Sequence, residues 1–219
     1  MEPSYRQSKF VPALATFFGR MRACTPMGLV RCAFPSTRHN DPFIDAYVFL
    51  APIIPLALLM VPHSWLTRWA AFLLGTWRLF EIMVFLANSY LFDDYRARMH
   101  GHKPRPFGGI RRVLILTAVN YIEVVLWFAA FYRLVIPDLA APDVERLVQA
   151  LNFSFVVMSA FGSSSVEVPA WWITLLTLLQ STIGLVLALA VIARSVSLLP
   201  RRGSGDPFEQ DDEEQCHSA

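Results

Sequence analysis

The sequence predicts an all-α membrane protein with about four transmembrane helices per chain. Three observations carry this. Of 219 residues, 55% are apolar and only 16% charged, and the mean hydropathy is +0.43, too apolar for an ordinary soluble domain of this length. Four apolar windows approach or exceed the length needed to cross a bilayer: Ala46 to Pro62, Trp69 to Phe92, Val113 to Ile136 and Trp171 to Leu199. Finally, the basic residues cluster outside the windows, before the first and after the second. The net charge of +2 leaves no footprint for nucleic acid.

The elements follow in chain order. Residues 1–43 form a basic N-terminal region. Phe10, Leu14, Phe17 and Met21 repeat at helical spacing among Lys9, Arg20 and Arg22, the pattern of an amphipathic helix lying on anionic headgroups with Pro12 in its first turn. The same stretch is also compatible with a solvated basic tail, and its many Arg with a single acid, Glu2, resemble an organelle transit peptide. Residues 44–92 hold the first two windows. Pro52 and Pro55 kink the first, which neighbouring helices make tolerable by satisfying the freed carbonyls. Residues 93–110, rich in Gly, Pro and His, form a polar connector. Residues 111–199 hold the last two windows, and 200–219 form a tail with six acids between Asp206 and Glu214.

Charge sets the orientation. Arg6, Lys9, Arg20, Arg22, Arg31 and Arg38 precede the first window, and Arg96, Arg98, Lys103, Arg105, Arg111 and Arg112 follow the second, so both segments are expected in the cytoplasm. Arg68, Arg133 and Arg146 fall on the opposite side. The expected protein is a multi-pass component of a cell (plasma or inner) membrane with both termini inside. Cys24, Cys32 and Cys216 then lie in the reducing compartment, and their spacing matches no metal site.

Between the third and fourth windows, Val148 to Ala160 are apolar but too few to span. The small polar stretch that follows has a backbone that must line protein or water. The segment is a candidate re-entrant helix and loop.

The run Asn152-Phe-Ser-Phe-Val-Val-Met-Ser-Ala-Phe-Gly162, followed by Val168-Pro169, resembles the pore helix and filter of the two-transmembrane potassium-channel pore family. There a Phe-Ser-Phe-Val-type helix leads into Thr-Val-Gly-Tyr-Gly-Asp and then Pro. Leu178-Leu-Gln-Ser-Thr-Ile-Gly184 and the apolar run to Arg194 resemble that family's inner helix, with Gly184 at its gating hinge. Val113 to Tyr132 would be the outer helix. The resemblance covers residues 111–199 and implies a channel-like homotetramer that passively conducts monovalent cations among membrane lipids, with no cofactor. The front half lies outside it and lacks the spaced arginines of a voltage sensor.

This chain departs from the family at the filter. Ala160 stands where the family has Thr, Phe161 for Val, Ser163 for Tyr, Ser164 for the second Gly and Ser165 for Asp, with only Gly162 retained. Gly adopts the positive φ angles of a carbonyl-lined filter freely, whereas Ser there is strained by roughly 1 kcal/mol. The departures argue against a four-site carbonyl filter. Hydroxyls of Ser163, Ser164 and Ser165 would instead keep ions partly hydrated, and a ring of Glu167 would favour cations. Phe161 alternatively forms a dewetting constriction. The alternative to conduction is a non-conducting adaptor or regulatory subunit on a channel-like fold.

Arg78 and Glu81 lie three residues apart inside the second window and Glu123 lies inside the third. Each needs a partner, and an ion pair joining the front half to the rear is the simplest arrangement. Gly184 serves equally as a hinge or as a point of close helix approach. Trp171 and Trp172 are expected as interfacial anchors, and Arg194 to snorkel toward the cytoplasm. His63, Asp93, Asp94, His100 and His102 lie near predicted surfaces but form no recognised ligand spacing, and no Gly-x-Ser-x-Gly elbow is present. The sequence therefore predicts neither an enzyme nor a metal site.

Overall fold

The computed structural model describes residues 10–34, 41–61, 64–92, 107–139, 143–159, 166 and 170–196, and every regular element among them is helical. Among the described residues, four helical stretches are long and apolar enough to span a membrane: Pro42–Met60, Trp65–Tyr90, Arg112–Val135 and Trp171–Ala193. The number agrees with the windows read from sequence, while several boundaries move.

Helix α1 (Phe10–Met21) contains the expected amphipathic segment. Ala15 is buried and the Phe18 ring lies 5.6 Å from that of Phe92, whereas Phe17 is 54% exposed. A 3₁₀ turn leads into α2 (Pro26–Ala33), a helix that hydropathy alone does not reveal. Thr25 caps it by accepting from Gly28 N at 3.0 Å, and Pro26 occupies its first position.

The first span consists of α3 (Asp41–Leu50) and α4 (Ile53–Met60), broken at Ala51 and Pro52. It begins earlier than the apolar window because polar residues near a helix start do not interrupt helical backbone. The break stays bonded: Ala51 N donates to Tyr47 O at 3.0 Å, and Ile54 N to Ala51 O at 3.2 Å. Helix α5 (Trp65–Leu86) also starts before its window, because Ser64 accepts from Thr67 N and caps the first turn ahead of Arg68. It widens into a π-helix over Ala87–Phe92, where Asn88 Nδ2 donates to Val84 O at 2.7 Å and to Phe18 O at 3.2 Å. This bond holds α1 against the bundle.

Helix α6 (Phe107–Val135) enters the connector expected over 93–110 by four residues, so Gly108 and Gly109 are helical rather than loop. It is the central element: Trp127, Phe128 and Tyr132 are fully buried. A side-chain Cβ at Gly75 would lie 2.5 Å from the Phe131 ring. Glycine there is what lets α5 and α6 approach closely.

A 3₁₀ turn (Pro137–Leu139) reverses the chain into α7 (Val144–Ser159), and α8 (Trp171–Val196) completes the described fold. Gln180 bonds Ser154, Ser181 bonds the carbonyl of Val157, and Gly184 abuts Met158. Residue numbers rise together along both helices, so α7 and α8 run parallel. They start level with one another, and α7 ends beside Gly184, near the middle of the fourth span.

Candidate functional site

Two polar assemblies interrupt the apolar interior. The first joins α3, α5 and α6. Arg78 donates to Glu123 in a two-pronged pair, Nε to Oε1 at 2.7 Å and Nη2 to Oε2 at 2.8 Å. Its Nη1 turns to Glu81, one helical turn away, and to the Tyr47 hydroxyl at 3.0 Å. Tyr47 in turn donates to Glu81 Oε2 at 2.7 Å, and the Met27 amide to Glu81 Oε1 at 2.7 Å. Trp127 Nε1 completes the set with a 3.3 Å bond to Glu123.

Arg78, Glu81 and Glu123 are 8%, 5% and 0% exposed, which explains why so many donors converge: a buried carboxylate is tolerable only when its lone pairs are filled. The three charges singled out in the sequence thus come together. Tyr47 and Met27, which sequence did not single out, tie the first span and α2 to them. The physical result is a clamp joining the front helices to α6.

The second assembly joins α6, α7 and α8. Tyr132 donates its hydroxyl proton to Gln180 Oε1 at 2.7 Å. Gln180 Nε2 donates to Ser154 O at 2.9 Å and lies 2.8 Å from its Oγ, and Ser154 Oγ donates to Val125 O at 2.7 Å. Ser154, Gln180 and Tyr132 are all fully buried. A lone amide in an apolar helix was the available signal, since such a group seeks a partner on a neighbouring helix. Gly184 lies just beyond, where an added Cβ would sit 2.3 Å from the Met158 carbonyl oxygen. The glycine therefore occupies a close crossing of α7 and α8.

Ala160, Phe161, Gly162, Ser163, Ser164, Ser165 and Glu167 lie outside the described residues, as do His63, Asp93, Asp94, His100, His102 and Cys216. Val166, beside Glu167, is half-buried and packs against the core shared by α6, α7 and α8. Trp171 and Trp172 are exposed at the start of α8, and Cys24 and Cys32 are free and exposed. Arg133, near the end of α6, is drawn inward. It is 3% exposed, donating to Leu59 O at the end of α4 and to Leu139 O at 3.2 Å. Carbonyls that end a helix attract a guanidinium, which draws the side chain inward. Among the described residues no group of three or more His, Cys, Asp or Glu side chains is placed to hold a metal ion.

No family model, curated protein or solved structure matches this chain.

Proposed function

We propose that this protein is a membrane channel for small monovalent cations, assembled as a tetramer around residues 151–169. The parallel course of α7 and α8 carries this reading. Both helices begin at the same end of the bundle, and α7, at 16 residues, is too short to cross the hydrocarbon core of about 30 Å. It ends beside Gly184, on the order of 20 Å along the axis from Trp171, so the chain re-enters α8 at the end from which α7 departed. On this reading α7 is a re-entrant helix, entering the membrane and stopping near mid-depth before the chain returns. Together with α6 outside and α8 inside, it has the order of a channel pore unit.

One copy supplies one such loop, and a closed ring needs several. The lone chain leaves apolar surface for neighbours or lipid: the fourth span is 22% buried, against 61% for the third. Val148 and Phe155 on α7 and Leu178, Leu185 and Leu189 on α8 are exposed. Ser163, Ser164 and Ser165, with Glu167 at the mouth, suit partly hydrated cations better than a fully dehydrating carbonyl cage. Phe161 would be the apolar constriction, and flexure at Gly184 would widen the vestibule.

The test is reconstitution in liposomes, with oligomeric mass determined and potassium, sodium and chloride flux measured for wild type and Glu167→Gln. The expected result is a tetramer passing cations over chloride, with cation preference reduced in the variant. A stable monomer with no flux at any applied voltage would overturn the proposal in favour of a non-conducting adaptor.

A further inference from the structure

The second span, Trp65–Tyr90, gives a depth scale for the N-terminal helices, because a helix rises about 1.5 Å per residue. Phe18 lies at the Tyr90 end of this scale, its ring 5.6 Å from that of Phe92 and its carbonyl accepting from Asn88 Nδ2 at 3.2 Å. By Cys24 the level has changed. Cys24 O accepts from Trp77 Nε1 at 3.1 Å, and Met27 N donates to Glu81 Oε1 at 2.7 Å. Trp77 stands midway along the span, roughly 20 Å along the axis from Tyr90, and Glu81 roughly 13 Å. Helical side chains lean toward their own N-terminus, here the far end, so the lean adds to this depth. The chain is nevertheless back at the Tyr90 end when the first span begins at Pro42, since Asp45 pairs with Arg112 at the start of the third span and Tyr90 meets Thr117.

The turn between α1 and α2 is closed by protein groups. Thr25, 3% exposed, donates to Arg22 O from its N and its Oγ1, at 3.4 and 2.9 Å, and its Oγ1 accepts from Gly28 N. A Cβ at Gly28 would collide with Arg22 O, so glycine is what lets α2 close on the turn. For helices lying on a membrane surface, water could satisfy Cys24 O and Met27 N. Here α5 does so through Trp77 and Glu81, as backbone set in hydrocarbon requires. The outward face matches: Ala13, Phe17, Ala23, Leu29 and Phe34 are exposed. Arg22 and Arg31 line the cavity between these helices and the bundle, and Arg20, close to the level of Phe18, is within snorkelling reach of the surface.

We propose that α1 and α2 form a re-entrant hairpin sunk in the leaflet at the Tyr90 end, its exposed face covered by phospholipid acyl chains. Helix α1 descends, the turn at residues 22–25 is the deepest point, and α2 leads back, so Cys32 on its last turn lies nearer the surface than Cys24. The hairpin rests on α5 crossing the bilayer and on nothing about the pore, so it stands or falls independently of conduction.

The experiment places a nitroxide on the full chain at native Cys24 in a Cys32→Ser, Cys216→Ser background, or at Ala13→Cys with Cys24→Ser added. Each protein is reconstituted in phosphatidylcholine liposomes. Collisions with oxygen, which concentrates in hydrocarbon, are compared with collisions with a water-soluble nickel chelate. The ratio of oxygen to nickel collisions at Cys24 should exceed that at Ala13→Cys tenfold or more. Ala23→Cys, also exposed, should repeat the Cys24 result and serves if the label at Cys24 prevents folding. A ratio at the turn within twofold of that at Ala13→Cys would mean two helices lying at one depth, and would overturn the hairpin. Few collisions with either agent at the turn would mean that protein rather than lipid covers it, and would overturn the proposal as well.

Discussion

Arg78 holds two carboxylates that would otherwise face each other in an apolar interior, so its loss should be felt well beyond one ion pair. Removing one partner of a buried pair costs about 3–5 kcal/mol because a charge is left uncompensated. Arg78→Leu should accordingly lower the unfolding temperature of the detergent-purified protein strongly. Arg78→Lys, keeping charge but losing the two-pronged geometry toward Glu123, should fall between. Equal stability of all three proteins would refute the clamp. These charges were legible because an ionised group inside an apolar window has few ways to survive. Tyr47 was not: a tyrosine near a helix end suits a membrane interface equally well, and only the fold brings it to Glu81. The inward turn of Arg133 was not legible for a related reason, since its bond to the Leu59 carbonyl depends on where α4 ends.

Among the elements, the seam between α7 and α8 is held by both chemistry and shape. Gln180→Leu would strand the buried Tyr132 hydroxyl, and a loss of about 1–3 kcal/mol is expected in thermal or denaturant unfolding. Gly184→Leu should separate the two helices, because even a Cβ there meets the Met158 carbonyl oxygen. Such overpacking typically costs about 1–3 kcal/mol. The helix starts show what sequence offered and hydropathy overlooked. Ser64 and the Thr25-Pro26 pair are capping signals written in the chain, and they place the beginnings of α5 and α2. Apolar averaging passes over them because a cap is polar by necessity. The Ala51–Pro52 break follows from proline's missing donor, whereas the π-helix at Ala87–Phe92, where Asn88 bonds α1, has no local sequence signature.

For the molecule as a whole, hydropathy was enough to give four spanning stretches, since the bilayer imposes length on any chain that crosses it. Their arrangement around α6 depends on contacts between residues far apart in sequence. The charge bias predicts that α1 and α2 lie on the cytoplasmic side, which the exposed thiols of Cys24 and Cys32 make testable. In a Cys216→Ser background, a membrane-impermeant maleimide should label inside-out vesicles and spare intact cells; the reverse would invert the topology. One further consequence arises from the shortness of α7. Its last turn carries no basic side chain, so the partial negative charge at its C-terminal end, roughly half an elementary charge, is not offset there. In the proposed tetramer, four such ends converging at the level of Gly184 would amount to roughly two negative charges. Backbone dipoles alone would then draw cations to mid-depth, and a residual preference for cations over chloride should survive neutralisation of Glu167.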